Sequence, residues 1–389
     1  MRILQLTFFL SFCCFSIYCH SQMEYIIEID LTSGTFVKKV AIPEIEYVYP
    51  DYGALDENNG RYILPGSIPE KIYTIDVENN LIISEPSYSN LVKFEFSNSL
   101  NKLFGLLQDQ PNNLKHFVSI DLQTATTTII GDSIPNSGTF QGLSTFDQIN
   151  NQYYFLDPGN ILYSFDAING IINSNPTLIL SANEFVVCMS FNNTNSKLYA
   201  ILRNSDEGKD YLVFINAMTG EITKVGNGFN GGGNGNSTID ENAQQLIYLF
   251  NNVSVFKILT IDIATGNVLY NNFVNPLDIL DNAYCIKYDN NQGKLYAFHW
   301  DNQLDAGVDE TIAKNNIVTI YPNPFNEMFY LTSMVDAKGK IYNSSGQCIM
   351  HANIDKGEQI INLKHILNGV YFFNIETEKE SITKRIIKY

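Results

Sequence analysis

Basic residues are scarce in this chain. It has 24 Lys and Arg against 41 Asp and Glu, a formal net charge of −17. That excludes nucleic acid and anionic membrane surfaces as partners, because both are held through basic patches. Histidine is rarer still, with five residues and no pair at metal-ligand spacing. No G-x-S-x-G elbow and no Ser-His or Cys-His arrangement of signature spacing occurs, so no catalytic, cofactor or metal set is identified. Cysteines number six, and three of them lie within the first 21 residues. The others, Cys188, Cys285 and Cys348, are odd in number and widely spread, which is no disulfide framework. Beyond the N-terminus no apolar run approaches the roughly 20 residues that span a bilayer, so no stable transmembrane segment is expected. The chain is instead rich in apolar and aromatic residues, with 45% hydrophobic residues, 23 Tyr and 25 Phe. This is too much for a disordered chain.

Residues 1–21 read as a secretory signal peptide. Arg2 supplies the positive charge, Ile3 to Phe15 is nearly all apolar, and small residues stand at −3 and −1 before Gln22.

The body, residues 22–300, alternates two short motifs. The first is an apolar strand ending in an Asx residue and a turn, anchored at Asp30, Asp76, Asp121, Asp166, Asn216 and Asp262. The anchors are 46, 45, 45, 50 and 46 residues apart. The second is a polar turn followed six residues later by an aromatic or leucine, opening at Asp56, Ser97, Asp147, Asn192, Asp240 and Asp289. A period near 46, four short strands per unit and turns rich in Asn, Asp and Gly predict an all-β fold, a six-bladed β-propeller. The second motif fits the inner strand pair of a blade and the first the outer pair. The chain therefore begins with an outer pair (24–42) and ends with an inner pair (281–300), which should combine into one composite first/last blade and remove open edges. The array resembles bacterial surface propellers of the YVTN and quinoprotein-like type. The matching residues are the Ile261-Asp262-Ile263-Ala264-Thr265-Gly266 turn and the Asp289 to Ala297 hairpin. That resemblance implies a fold and no particular activity.

The anchor carboxylates are read as turn-fixing acceptors of backbone N–H groups, since Asn216 serves in the same place without charge. Cys188 and Cys285 occupy equivalent inner strands two blades apart, beyond disulfide reach, and should be free thiols. The run from Gly226 to Gly235 lacks the Lys-Ser/Thr and helix of a phosphate loop and reads as an inter-blade loop. His299-Trp300-Asp301 reads as a packed strand end.

Residues 301–316 break the repeat and read as a linker. Residues 317–389 hold eight basic and seven acidic residues, against fifteen and thirty-four in 23–316, so the acidity belongs to the body. Short apolar runs with Gly turns predict a small Ig-like β-sandwich, with KGKIYNSSGQCIMH read as a single strand. The matching residues begin with Tyr321-Pro322-Asn323-Pro324-Phe325, then Gly339 to Asn343 with Gly346-Gln347. They continue through Ile361-Asn362-Leu363, Leu367-Asn368-Gly369-Val370-Tyr371-Phe372 and the basic tail Lys384 to Lys388. On these residues the segment resembles the type A C-terminal sorting domain of the type IX secretion system of Bacteroidetes. The resemblance implies the secretion machinery and its sortase as partners. It also implies export through the periplasm to the medium or the outer cell surface.

Function then rests on geometry. The loops entering the inner strands and leaving the second strands share one face. They include Glu44 to Tyr52, Tyr88, Asp109, Phe140, Asp157, Asp206 to Asp210, Phe229 and Asp278 to Tyr284, an acidic set with exposed-looking aromatics. Such a face suits an extracellular glycan, a protein or a calcium ion. A binding module is the leading reading, ahead of a metal-dependent lactonase or lyase and of a structural surface-layer protein.

Overall fold

The computed structural model describes residues 24–43, 45, 47–49, 51–136, 142–232, 235–252, 255–274, 282–300, 318–321, 325–333, 335–343, 346–377 and 381–388. The expected signal peptide and linker lie outside the described residues. So do Phe140 and Asp278 of the loop face and Pro322, Asn323 and Pro324 of the tail motif. Every described element is a strand or turn, and the chain divides into two compact units, Met1–Leu304 and Asp305–Tyr389.

In the first unit the strands form antiparallel sheets of four, each a simple meander like a propeller blade. Leu91–Ser97, Lys102–Asp109, Leu114–Ile120 and Thr127–Pro135 make one; Leu143–Asp147, Gln152–Leu156, Leu162–Asp166 and Ile172–Ser174 the next. Glu184–Asn192 to Ile222–Asn230 and Ser237–Asp240 to Val268–Phe273 follow in the same order. The sheet from Ala54–Asp56 to Leu81–Ser84 carries a fifth short strand, Tyr47–Val48, on Arg61–Ile68. The remaining sheet joins the two ends of the unit. Asn282–Asp289 and Lys294–Trp300 are followed by Glu24–Ile29 and Phe36–Ile42, with Ile27 opposite Ala297 and Glu28 opposite Tyr296.

First strands of successive sheets lie side by side. Ala54–Asp56 neighbours Leu91–Ser97, the series continues through Leu143–Asp147, Glu184–Asn192 and Ser237–Asp240 to Asn282–Asp289, and that strand lies beside Ala54–Asp56 again. The apolar cores fill the gaps between sheets. Phe104, Phe117, Tyr153 and Phe165 pack in one, with Phe117 and Phe165 ring centres 4.9 Å apart. Ile27, Ile258, Ile286 and Ala297 pack in another. The middle strands of each sheet are thus buried on both faces, which explains why they are hydrophobic almost throughout, while fourth strands such as Thr127–Pro135 and Val268–Phe273 stay mostly exposed.

The turns repeat at atomic detail. In the first motif the anchor oxygen accepts backbone N–H groups two and three residues on, as from Thr32 and Ser33 to Asp30 at 2.9 and 2.8 Å and from Met218 and Thr219 to Asn216 at 2.9 and 3.2 Å. Hydrogen bonds led by the Thr32 hydroxyl hold the Asp30 carboxyl down to about 2. The turn-fixing reading of these carboxylates agrees with this geometry. The fourth residue after each anchor is left-handed in all six turns: Gly34, Asn80, Ala125, Gly170, Gly220 and Gly266. The second-motif turns repeat this at Gly60, Asn101, Asn151, Ser196, Gln244 and Gly293.

The second unit places a three-stranded sheet (Val318–Tyr321, Met328–Ser333, Gly357–Asn362) and a four-stranded sheet (Cys348–Ile354, Ala337–Asn343, Gly369–Glu376, Ser381–Lys388) around one core of Phe329, Leu331, Ile341, Phe373, Ile375 and Ile386. KGKIYNSSGQCIMH divides into two paired strands, Ala337–Asn343 and Cys348–Ile354. Gly346, at φ +78°, lies in the intervening turn, a conformation glycine adopts without strain.

Candidate functional site

The first strands of the sheets in the first unit line a central opening with polar side chains. Ser144 donates to Glu95 Oε1 at 2.9 Å, Lys287 Nζ lies 3.4 Å from Glu95 Oε2, and the Ser190 and Ser237 hydroxyls pair at 2.8 Å. The cavity they bound with Asp51, Asn236 and Thr238 measures about 70 Å³. That suits a few water molecules and is small for an organic ligand. Lys93, in the left-handed region at φ 59°, lies at a register break in Leu91–Ser97. Its buried ammonium pairs with Asp51 and lies 4.8 Å from the centre of the Tyr52 ring. The Tyr153 hydroxyl, from the next sheet, donates to the Lys93 carbonyl at 2.5 Å. A lysine in that conformation costs about 1–2 kcal/mol, which marks the position as one the surrounding structure enforces.

At the end where the second-motif turns gather, the opening widens to about 270 Å³. Its rim is a polar girdle. In five of the six second-motif turns the residue after the anchor donates its backbone N–H to the side chain of its counterpart in the next turn. Glu57 donates to Asn98 at 2.9 Å, Asn98 to Gln148 at 2.8 Å and Gln148 to Asn193 at 2.8 Å; Asn193 donates to Glu241 at 2.9 Å and Glu241 to Asn290 at 2.7 Å. Asn290 returns to Glu57 Oε1 through its side-chain amide at 3.4 Å, so the longest link joins the sheet made from the two ends of the unit to the sheet that follows it in the chain. The partners lie 41 to 50 residues apart except in that last link, where they lie 233 apart.

The girdle was overlooked in the sequence reading. Its signal is an Asn, Gln or Glu directly after all six second-motif anchors, at Glu57, Asn98, Gln148, Asn193, Glu241 and Asn290. In isolation each looks like ordinary loop polarity.

Burial, reinforced by the carboxylates of Asp289 and Glu241, pushes the Glu57 carboxyl up to about 7 against hydrogen bonds from Asn290. The acid of the unfolded chain ionises near 4.5, so ionisation opposes folding. This group's contribution is fully present below that pH and lost as pH rises through about 7. Glu57→Gln keeps an acceptor for Asn290 and removes the charge. It should be about 1–2 kcal/mol more stable than the parent at pH 8 and equal to it below pH 4.5, read from urea unfolding at both pH values. An equal gain at both would show that charge is not the cause.

The loop face differs from expectation. Tyr52 is fully buried, and Tyr49, Tyr88 and Phe229 are half-buried against the inter-sheet cores. Tyr88 also donates to the Gly66 carbonyl at 2.9 Å. The aromatics counted as an exposed platform are therefore packing residues, because the gaps between sheets are wide enough to need large rings. Asp210 is buried with Arg203, at 2.7 Å, and Asp109 is half-buried with His116 at 3.3 Å, while Asp206 and Glu207 remain exposed. Of the Gly-rich run, Gly226 to Asn230 belong to the strand Ile222–Asn230, and Gly226 and Gly228 have positive φ. Cys188 and Cys285 are buried free thiols, each pushed up to about 12 by burial, which leaves them unreactive. His299 is a buried strand-end residue whose ring centre lies 5.3 Å from that of Phe36.

In the second unit, Tyr321 ends the first strand, and Gly369 and Tyr371 open the strand Gly369–Glu376. Lys384 and Lys388 lie on the last strand. Lys388 is 7% exposed, and its ammonium donates to the carbonyls of Leu363, Lys364 and Ile366 at 3.0, 3.2 and 2.7 Å.

The family model described as "Secretion system C-terminal sorting domain" matches residues 319–389. No curated protein matches the chain. Among solved structures, a chain of a nidogen/laminin complex is 10% identical, with a TM-score of 0.46, covering 64% of this chain and 93% of its own. A chain of a mitotic checkpoint complex is 8% identical, with a TM-score of 0.44, covering 78% and 99%. TolB from Acinetobacter baumannii is 10% identical, with a TM-score of 0.45, covering 73% and 64%.

Proposed function

We propose that this chain is an exported binding module, addressed by a type IX sorting tail, because residues 319–389 match the secretion system C-terminal sorting domain. A signal peptide over 1–21 delivers it to the periplasm, and the tail, an Ig-like sandwich over 317–389, carries it across the outer membrane to the cell surface or the medium. Its sheets close as a six-bladed propeller of the YVTN type, with the composite sheet of Glu24–Ile42 and Asn282–Trp300 as the seam. A rigid ring of this kind presents a ligand face without ordering cost on binding. The ligand is an extracellular glycan or protein, met by acidic loops such as that of the exposed Asp206 and Glu207.

The observation that carries this reading is the sorting-domain match, because an address for export restricts the ligand to the cell exterior. The test is fractionation of a host with a type IX system expressing the full chain or the chain stopped after residue 316. The full chain should reach the surface or medium with its tail removed, and the shortened chain should stay in the periplasm. Equal export of both would overturn the reading.

The girdle favours a second reading. Glu57, Glu95 and Glu241 with five Asn line one cavity, acids and amides of the kinds that a metal-dependent lactonase or lyase would need, although among the described residues no three acidic side chains stand close enough together to hold a metal ion. Purified full chain holding one tightly bound calcium per molecule would favour it over the binder.

A further inference from the structure

Leu367 is 84% exposed, the highest value among the large hydrophobic residues described. A lone exposed leucine on a mobile loop would call for no explanation. This one sits on a segment whose backbone is held at seven groups. The segment runs from Leu363 to Asn368 and joins Gly357–Asn362 to Gly369–Glu376, so it passes from one sheet of the second unit to the other.

Leu363 N–H donates to the Glu327 carbonyl at 2.8 Å, and Lys364 N–H to Asn362 Oδ1 at 3.0 Å. The Lys388 ammonium has three protons and spends them on the carbonyls of Leu363, Lys364 and Ile366. The Tyr371 hydroxyl donates to the Leu367 carbonyl at 2.6 Å. Burying a lysine is costly unless its charge is solvated by such dipoles, so the clamp holds only while the segment keeps this shape. Leu363 and Ile366 turn into the core, and Leu367 turns out. Val370, exposed, lies three residues on, and exposed Lys364 and His365 flank the loop.

An apolar side chain presented on a preordered backbone is what a binding hot spot requires, because little ordering entropy remains to be lost. Resting on the export reading above, we infer that Leu367 is the knob by which this sorting domain engages the secretion machinery. It enters an apolar pocket, bordered on this side by His365 and by Lys364, whose ammonium lies 3.4 Å from the Glu327 carboxylate. Lys388 and Tyr371 act as positioning residues behind it.

The experiment uses the full chain in a host with a type IX system. Leu367→Asp and Leu367→Ser should each cut the exported fraction at least about tenfold, with the protein accumulating in the periplasm. Both purified variants should melt like the parent, since the loop is held through backbone carbonyls. Ile360→Asp, at a site 55% exposed on Gly357–Asn362, should export normally. Lys388→Met should lower both export and the melting temperature of the tail. Normal export of both Leu367 variants overturns the inference, and so does an equal loss in Ile360→Asp, which would make any apolar surface sufficient. If the chain stopped after residue 316 is exported, the export reading itself fails. If that chain is retained while the Leu367 variants are exported, the knob alone fails.

Discussion

Gly266→Ala should destabilise the first unit by more than about 3 kcal/mol. Two costs combine. Gly266 has φ +70°, where an L side chain costs about 1–2 kcal/mol. A Cβ there would also stand 2.2 Å from the Val225 carbonyl oxygen, on the outer strand of the preceding sheet. The obstacle is backbone, so relief requires the two sheets to part. The same approach recurs at Gly34, 2.1 Å from the Phe273 oxygen, and at Gly170, 2.0 Å from that of Ile130. Gly208→Ala is the control, with φ +62° and nothing within 4 Å, and it should show the conformational cost alone. Urea midpoints of the two variants separate the terms. A Gly266→Ala loss no greater than that of Gly208→Ala would mean that the sheets do not approach so closely.

Ile27→Asp is expected to unfold the first unit as a whole, at a cost of about 4 kcal/mol or more. Ile27, in the sheet that joins the two ends of the unit, is 0% exposed and packs with Ile286 and Ala297 of that sheet and with Ile258 of the neighbouring one. In a linear array a charge in the first strand would fray that end and leave the remaining repeats standing. In a ring sealed by this strand the loss spreads through every neighbour, and the far hairpin Asn282–Trp300 loses hydrogen-exchange protection too. Val37→Asp, at a site 64% exposed on the adjoining strand, should stay within about 0.5 kcal/mol of the parent. Local fraying in Ile27→Asp, with Asn282–Trp300 still protected, would refute the sealed ring.

Much of this architecture was readable beforehand, for reasons that differ by element. The two turn types were legible because their chemistry is local. Asp30 or Asn216 binds N–H groups two and three residues away, and the left-handed position four residues on favours Gly or Asn. Ala125 is the exception, holding φ 54° within a buried cluster. The break of KGKIYNSSGQCIMH into two strands was missed, although Gly346 marked it. The aromatics of the loop face were misjudged because a Tyr in a loop looks alike whether it faces water or the gap between two sheets. The girdle escaped because Glu57, Asn98 and Glu241 each belong to unremarkable polar turns until their partners are known.

The amino-acid order alone determined the repeat, the turn geometry and the sorting tail, since each is built from short motifs whose residues lie within a few positions of one another. Only the tertiary structure decided that Glu57 meets Asn290, that Gly266 leaves room for Val225, and that Lys388 holds three carbonyls behind an outward leucine. Those contacts join segments tens to hundreds of residues apart. Their partners are chosen by how whole sheets pack, and no local hydrogen-bond preference encodes that.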